Sequence, residues 1–122
     1  MEAVPVDDTP CLLLKGVRFE SKPTSVSIKA DCELAVELHN LGPGRVTDVW
    51  LRVRIIENGR RPRLLTEEYY SLSDLQEGEQ RIETLFFKSL IKEDCALEVE
   101  LTGAEVEPQY YTLGLKYSET RQ

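Results

Sequence analysis

The sequence predicts a single all-β domain, an antiparallel immunoglobulin-like sandwich of about seven to eight strands. Three observations predict it. Apolar and polar residues alternate along several segments, glycine-containing turns separate these segments, and no stretch of the 122 residues has the length and periodicity of a helix longer than one turn. A chain of this length fits one domain with one hydrophobic core.

The clearest alternation lies in residues 26–38, where every second residue is apolar and most of the residues between are polar. A period of two is typical of a strand with one face in water. The same pattern recurs in residues 49–55 and 97–101. Further strands are predicted over residues 12–19, 64–70, 81–87 and 110–117.

Turn signals stand between these strands, at residues 40–44, 58–59, 77–78 and 102–103. In each of them a glycine or an asparagine can adopt the positive φ that tight turns need. One helical candidate remains. Residues 71–80 offer a cap at Ser73 and a stop at Gly78, which leaves room for a single turn at most.

Composition excludes some classes of function. The chain has 15 basic and 22 acidic residues and a net charge of −7, which argues against nucleic-acid binding. It has no apolar run of the roughly 20 residues that a membrane helix needs, so we predict no membrane insertion. Residues 1–10 are predicted to form a flexible amino-terminal segment, residues 11–118 the sandwich and residues 119–122 a tail.

The order of strands and turns in residues 11–103 resembles the CARDB family of bacterial and archaeal immunoglobulin-like modules, named for a suspected role in cell adhesion. The motifs are "LLLKGVRF", then "CELAVELHNLGPG", "VWLRVRIIENGR", a strand after "EGEQ", and "ALEVEL". The chain departs from the family by closing with "QYYTLGLKYSETRQ", where the family usually ends in an acidic, asparagine-rich strand. The resemblance implies an accessory binding or spacer module.

Two cysteines are predicted to point into the core. Cys32 lies two residues before the apolar Leu34, and Cys95 lies two residues before the apolar Leu97, so each faces the same side as that leucine. In an immunoglobulin topology their strands would be the second and sixth, which place both thiols at the same end of the core. A Cys32–Cys95 disulfide is one prediction. Two buried free thiols are the alternative, favoured by the unpaired Cys11. Free thiols would indicate the cytoplasm, and a bridge would indicate the cell surface or the extracellular space.

The third predicted strand carries the candidate binding residues. Trp50, Arg52, Arg54 and Ile56 face away from the apolar side, and Arg60 and Arg61 follow in the next turn. Six arginines lie between positions 45 and 63, which suggests a basic patch for a carboxylate-rich or phosphate-bearing partner. Alternatively, Glu98 and Glu100 of a neighbouring strand pair with Arg52 and Arg54. An exposed Trp50 would be an interface anchor, unless the amino-terminal segment or a loop covers it.

Other polar and aromatic residues give weaker signals. Adjacent tyrosines, as at positions 69–70 and 110–111, must point to opposite faces, so at most half of the five tyrosines can share a sugar-binding surface. A role in the core or at a sheet edge is the favoured alternative. His39 is the single histidine and the cysteines are scattered, which predicts no metal site and no cofactor. No nucleophile can be placed beside His39, so no enzymatic activity is predicted.

Three functions follow from these patterns. The first is a protein-interaction or adhesion-like module that uses the Trp50 face or an exposed strand edge. The second is a self-assembling structural subunit, such as a capsid-decorating or surface-array protein. The third is a carbohydrate-binding module.

Overall fold

The computed structural model describes residues 12–22, 29–104 and 106–116. They form two antiparallel sheets, which confirms the all-β immunoglobulin-like sandwich. The predicted domain limits at residues 11 and 118 lie outside the described residues. Within these residues, no helix is long and apolar enough to cross a lipid bilayer.

Seven strands lie within the described residues, inside the predicted range. They are β1 (Leu12–Lys22), β2 (Ala30–Asn40), β3 (Val49–Glu57), β4 (Arg63–Leu72), β5 (Gln80–Ser89), β6 (Cys95–Gly103) and β7 (Val106–Leu115). One sheet has the order β1-β2-β5 and the other has the order β4-β3-β6-β7. The fourth strand therefore pairs with the third, whereas in constant-type immunoglobulin domains it completes the opposite sheet. The predicted alternation continues to Val26 and Ile28, which lie outside the described residues.

The core lies between the sheets and contains the inward residues of the alternating segments. In β3 the odd-numbered residues from Val49 to Ile55 are buried and the even-numbered ones are not. The fully buried large side chains come chiefly from β2, β3 and β6: Leu34, Val36, Leu38, Val49, Leu51, Val53, Ile55, Leu97, Val99 and Leu101. Burial of these side chains is the main contribution to the stability of the fold.

The segment between β4 and β5 is a loop. The single helical turn that the sequence allowed in residues 71–80 does not form. β4 continues to Leu72, beyond its predicted end at residue 70, and β5 begins at Gln80, one residue before its predicted start. Between them, Leu75 is fully buried and forms a bridge with Val46. The bridge between Leu75 and Val46 requires an extended backbone in the middle of this segment, which is incompatible with a helical turn there.

Asn40 fastens this loop to the turn that follows β2. The side chain is fully buried. Its amide nitrogen donates hydrogen bonds to the carbonyl oxygens of Gly44, Leu75 and Gln76 at 2.9, 3.2 and 3.0 Å. Its oxygen accepts a hydrogen bond from the Gly42 backbone at 3.2 Å. The predicted turn at residues 40–44 is thus held by a side chain that also binds the β4–β5 loop.

Candidate binding face

β3 is the second strand of the four-stranded sheet, so both of its edges are paired and its outward side chains lie in the interior of a broad face. We call the side of β4-β3-β6-β7 that points away from the other sheet the outer face. Trp50, Arg52, Arg54 and Ile56 lie on it in line, as the alternation predicted. Arg52 lies opposite Glu100 of β6, and Arg54 lies opposite Glu98.

The two arginines on this face are paired with those glutamates. Arg52 and Glu100 form an ion pair at 2.9 Å, and Arg54 and Glu98 form one at 2.6 Å. The hydrogen bond to Glu98 raises the pKa of Arg54 above its usual range, and the neighbouring Glu67 of β4 acts in the same direction. Of the two alternatives drawn from the sequence, the structure therefore has the internal pairing.

The remaining arginines do not form a basic patch beside Trp50. Arg45 contacts Asp74 at 3.7 Å, and Arg63 contacts Glu57 at 3.3 Å. Arg60 and Arg61 are exposed in the loop between β3 and β4 and make no ion pair within the described part of the chain. The structure thus divides the predicted set into a line on β3 and a separate loop. About 20 Å separates Trp50 from the loop end of β3.

Trp50 is an exposed aromatic side chain of the outer face. It lies between Ser71 of β4 and Thr102 of β6 and is 45 % exposed. Both neighbours are small, so they leave the indole ring accessible. The predicted alternative in which the amino-terminal segment covers this ring concerns residues 1–10, which lie outside the described residues.

Two tyrosines join Trp50 on the outer face, and the sequence did not assign them to the binding set. Tyr69 lies opposite Arg52 in β4, and Tyr110 lies opposite Glu100 in β7. They are 59 % and 69 % exposed. Tyr70 and Tyr111 point inward and are half-buried, as the alternation required. Tyr117, the fifth tyrosine, lies outside the described residues.

A sequence signal for Tyr69 exists, but it is incomplete. The adjacent Tyr69 and Tyr70 of β4 must point to opposite faces, so one of them faces outward, but counting back from a tight turn at Asn58-Gly59 would set Arg52 opposite Leu65, four residues from Tyr69. The register shift between Ile55 and Ile56 then decides which of the two adjacent tyrosines faces outward. The extra residue of this bulge is Leu65 of β4, and because it is not a glycine it has no marker in the sequence.

The ion pairs and tyrosines form a connected polar centre on this face. The Tyr110 hydroxyl donates a hydrogen bond to the Glu100 carboxylate, which raises the pKa of Tyr110. Glu100 thus serves both Arg52 and Tyr110. A shallow groove runs along β6 beside these groups, and Glu98 also lines it. The outer face therefore presents aromatic rings around a fixed and nearly neutral polar centre.

Both cysteines of the predicted pair are free thiols in the structure, and both are buried. They lie near the beginnings of β2 and β6, in facing sheets, as expected. The Cys32 thiol donates to the Ala30 carbonyl at 3.7 Å, and the Cys95 thiol donates to the Glu93 carbonyl at 3.1 Å. Burial raises the pKa of Cys32 from 9.0 to about 11 and also raises the pKa of Cys95.

No protein-family model and no curated protein matches this chain. Among solved structures, its fold is similar to the CARDB domain of a Pyrococcus furiosus protein, which was crystallised in complex with di-metal ions. The two chains are 18 % identical with a TM-score of 0.55, and the match covers 93 % of each. This likeness confirms, at the level of fold, the resemblance predicted from the order of strands and turns.

The di-metal ions belong to that other protein. In the part of the present chain that the structure describes, no group of three or more histidine, cysteine, aspartate or glutamate side chains could hold a metal ion. The glutamates of the outer face are instead paired with arginines at 2.6 and 2.9 Å. The described residues therefore do not fit a metal centre of that kind.

Proposed function

We propose that this chain is a non-catalytic binding module that contacts a partner protein through the outer face. The observation that carries the proposal is the shared exposure of Trp50, Tyr69 and Tyr110 on one face of one sheet. Large exposed apolar side chains grouped on one surface are typical of interaction sites. Tryptophan, tyrosine and arginine are also the residues that contribute most to binding at protein interfaces.

The internal ion pairs support a protein partner over a small charged ligand. Arg52 and Arg54 already neutralise Glu100 and Glu98, so they are not available to bind a free carboxylate or phosphate without breaking a pair. With Glu67 also present, the face is slightly acidic. It is broad and shallow, whereas small-molecule sites are usually concave. A partner with an apolar and weakly basic surface fits these properties best.

The proposal is tested by identifying a partner from the source organism by cross-linking and then measuring its affinity for purified variants. We expect Trp50→Ala and Tyr69→Ala each to weaken binding by about tenfold or more. Leu41→Ser is the matched control, because Leu41 is 54 % exposed but lies in the turn after β2. A partner that binds all three variants as it binds the wild type would exclude the outer face.

A carbohydrate ligand is the second candidate, and one observation favours it. Tyr69 and Tyr110 lie in one row across the sheet with the Arg52–Glu100 pair between them. Three strand spacings put the two tyrosine positions about 14 Å apart, enough for a short oligosaccharide to rest on both rings. A glycan array distinguishes the candidates: a signal that disappears in Tyr69→Ala and Tyr110→Ala supports sugar binding, and an empty array removes it.

A further inference from the structure

β5 is an edge strand of the three-stranded sheet and pairs with β2 alone. On the side of this sheet that faces away from the core, Phe86 is 70 % exposed and Ile82 is 56 % exposed. Phe86 is the most exposed large hydrophobic residue in the described part of the chain. A long edge strand with exposed apolar side chains is a template for pairing with another strand.

The other edge strands carry features that oppose such pairing. β1 is interrupted by a register shift between Leu14 and Gly16, and such bulges oppose pairing at an edge. β4 carries adjacent Glu67 and Glu68, and β7 contains Pro108, which has no backbone N–H to donate. In β7, the Gln109 side chain also bonds the backbone of Leu12 and Leu14 in β1. In contrast, residues 84–87 of β5 are uncharged.

We infer that the β5 edge pairs with the β5 edge of a second copy of this chain. The pairing is antiparallel about a two-fold axis that runs perpendicular to the sheet, midway between Thr84 of one copy and Thr84 of the other; we call it the axis through Thr84. It joins the two three-stranded sheets into one six-stranded sheet. This inference is independent of the proposed function, because it concerns the other sheet.

The register about Thr84 follows from the positions of the apolar residues. The even-numbered residues of β5 point outward. An axis perpendicular to the sheet keeps the outward sides of the two copies on the same side, so even-numbered residues lie opposite even-numbered residues. Ile82 then lies opposite Phe86 of the second copy, and each copy covers the other's exposed ring. Gln80 lies opposite Lys88 of the second copy. No like charges stand directly opposite one another, and cross-strand apolar pairs of this kind stabilise a sheet.

Other two-fold registers are less complementary. An axis through Phe86 places the two phenylalanines together, but it sets Ile82 opposite Leu90, which lies beyond the end of β5 at Ser89. An axis through Ile82 sets Phe86 opposite Gly78 in the preceding loop. Axes through Glu83 and Leu85 set Phe86 opposite Gln80 and Thr84, respectively. Only the axis through Thr84 sets Ile82 and Phe86 opposite each other. Because the contact is small, we expect an affinity in the micromolar to millimolar range.

The experiment measures mass by analytical ultracentrifugation from about 10 μM to about 1 mM, a range set by that expected affinity. We expect the wild type to shift from 13.9 kDa towards twice that mass. Thr84→Lys places two like charges on the axis and should weaken the dimer by about tenfold or more. Thr84→Glu should do the same. An equimolar mixture of the two variants should restore the dimer, because opposite charges then meet at the axis.

Thr112→Lys is the matched control, because Thr112 is an exposed threonine on the edge strand of the other sheet. It should dimerise as the wild type does, and circular dichroism should show that all variants are folded. A wild type that stays at 13.9 kDa throughout would overturn the inference. Unimpaired dimerisation of Thr84→Lys would exclude this edge. A mixture that remains monomeric would exclude the register about Thr84.

Discussion

At the scale of single residues, Asn40 connects two loops that are distant in sequence. Its buried amide donates to three backbone carbonyl groups, two of which belong to the β4–β5 loop. The Asn40 backbone also accepts a hydrogen bond from Gly78 and donates one to Glu79. The carbonyl groups of Leu75 and Gln76 also accept from the backbone N–H groups of Val46 and Glu79, whereas that of Gly44 depends on the Asn40 amide. A buried carbonyl group left without a donor costs about 1–3 kcal/mol.

Asn40→Asp is expected to lower the free energy of unfolding by about 3 kcal/mol or more at pH 7. The substitution keeps the shape of the side chain but turns a carboxylate oxygen towards the three carbonyl oxygens. Burial and this repulsion raise the pKa of the new carboxyl above its unfolded value of about 3.9. The deficit relative to wild type should therefore be smallest below pH 4 and grow as pH rises.

Chemical denaturation at pH 4 and pH 7 measures that deficit. Asn58→Asp is the control, because Asn58 is exposed in the β3–β4 loop and its variant should stay within about 0.5 kcal/mol of the wild type. Equal effects of the two substitutions would show that the buried amide of Asn40 contributes nothing specific.

The buried thiols predict a loss of stability at alkaline pH. The pKa of Cys32 rises from 9.0 in an exposed thiol to about 11 in the fold, because the thiolate would be buried. A raised pKa favours the protonated folded state, so its contribution is complete below pH 9 and is lost as pH rises towards 11. Urea titrations over this range should show that decline, and Cys32→Ala should reduce its slope.

Alkylation gives a direct measure of the same thiols. We expect Cys32 and Cys95 to resist iodoacetamide at pH 8 in the folded protein and to react once it is unfolded, because both are buried and protonated. Peptide mapping separates them from Cys11. A mass of the unreduced protein two hydrogens lower, with no reaction after unfolding, would instead indicate the disulfide and a location outside the cytoplasm.

At the scale of elements, Arg81 fixes the β4–β5 loop to the beginning of β5. Its guanidinium donates to the backbone carbonyls of Ser73 and Asp74 at 2.9 and 2.7 Å. It also pairs with Glu79 at 2.9 Å and with Glu83 at 3.1 Å. The planar fork of arginine makes all of these contacts at once, which an ammonium group cannot do.

Arg81→Lys is therefore expected to reduce the free energy of unfolding by about 1–2 kcal/mol. The backbone amides of the β4–β5 loop should also exchange faster with deuterium in the variant. Arg18→Lys is the control, because Arg18 is exposed on β1 and makes no ion pair within the described residues. If both variants lost the same stability, the contacts of Arg81 would not be what holds the loop.

A comparison of the predicted and observed strands shows which features of the elements a sequence pattern can predict. Alternation is local, and it correctly assigned the two faces of β3. The pairing of Arg54 with Glu98 was one of two alternatives, and it depended on the expected topology that places β6 beside β3. Long-range contacts left no local pattern. Leu75 is buried by its bridge to Val46, so the residues around it were not recognised as an extended loop. The beginning of β7 at Val106 was missed because Pro108, which is usual only on edge strands, reads as a strand breaker.

At the scale of the whole molecule, the two sheets present different outward surfaces. The outer face of the four-stranded sheet has its aromatic residues around paired charges. The other sheet concentrates its exposed apolar residues at the β5 edge. The sequence identified Trp50 and its neighbours on β3 but not the tyrosines, because their place on the face depends on register across four strands. The candidate site could thus be predicted along one strand only.

The terminal strands determine how the fold would carry a mechanical load. β1 and β7 lie beside each other in different sheets, where Gln109 joins them at the level of Leu12. Leu115 lies six positions further along β7, about 20 Å away. A pull between the two ends therefore acts along the strands and loads the β1–β2 and β6–β7 hydrogen bonds in shear, all at once. We expect abrupt rupture of the whole sandwich under force, without strand-by-strand peeling, in single-molecule stretching.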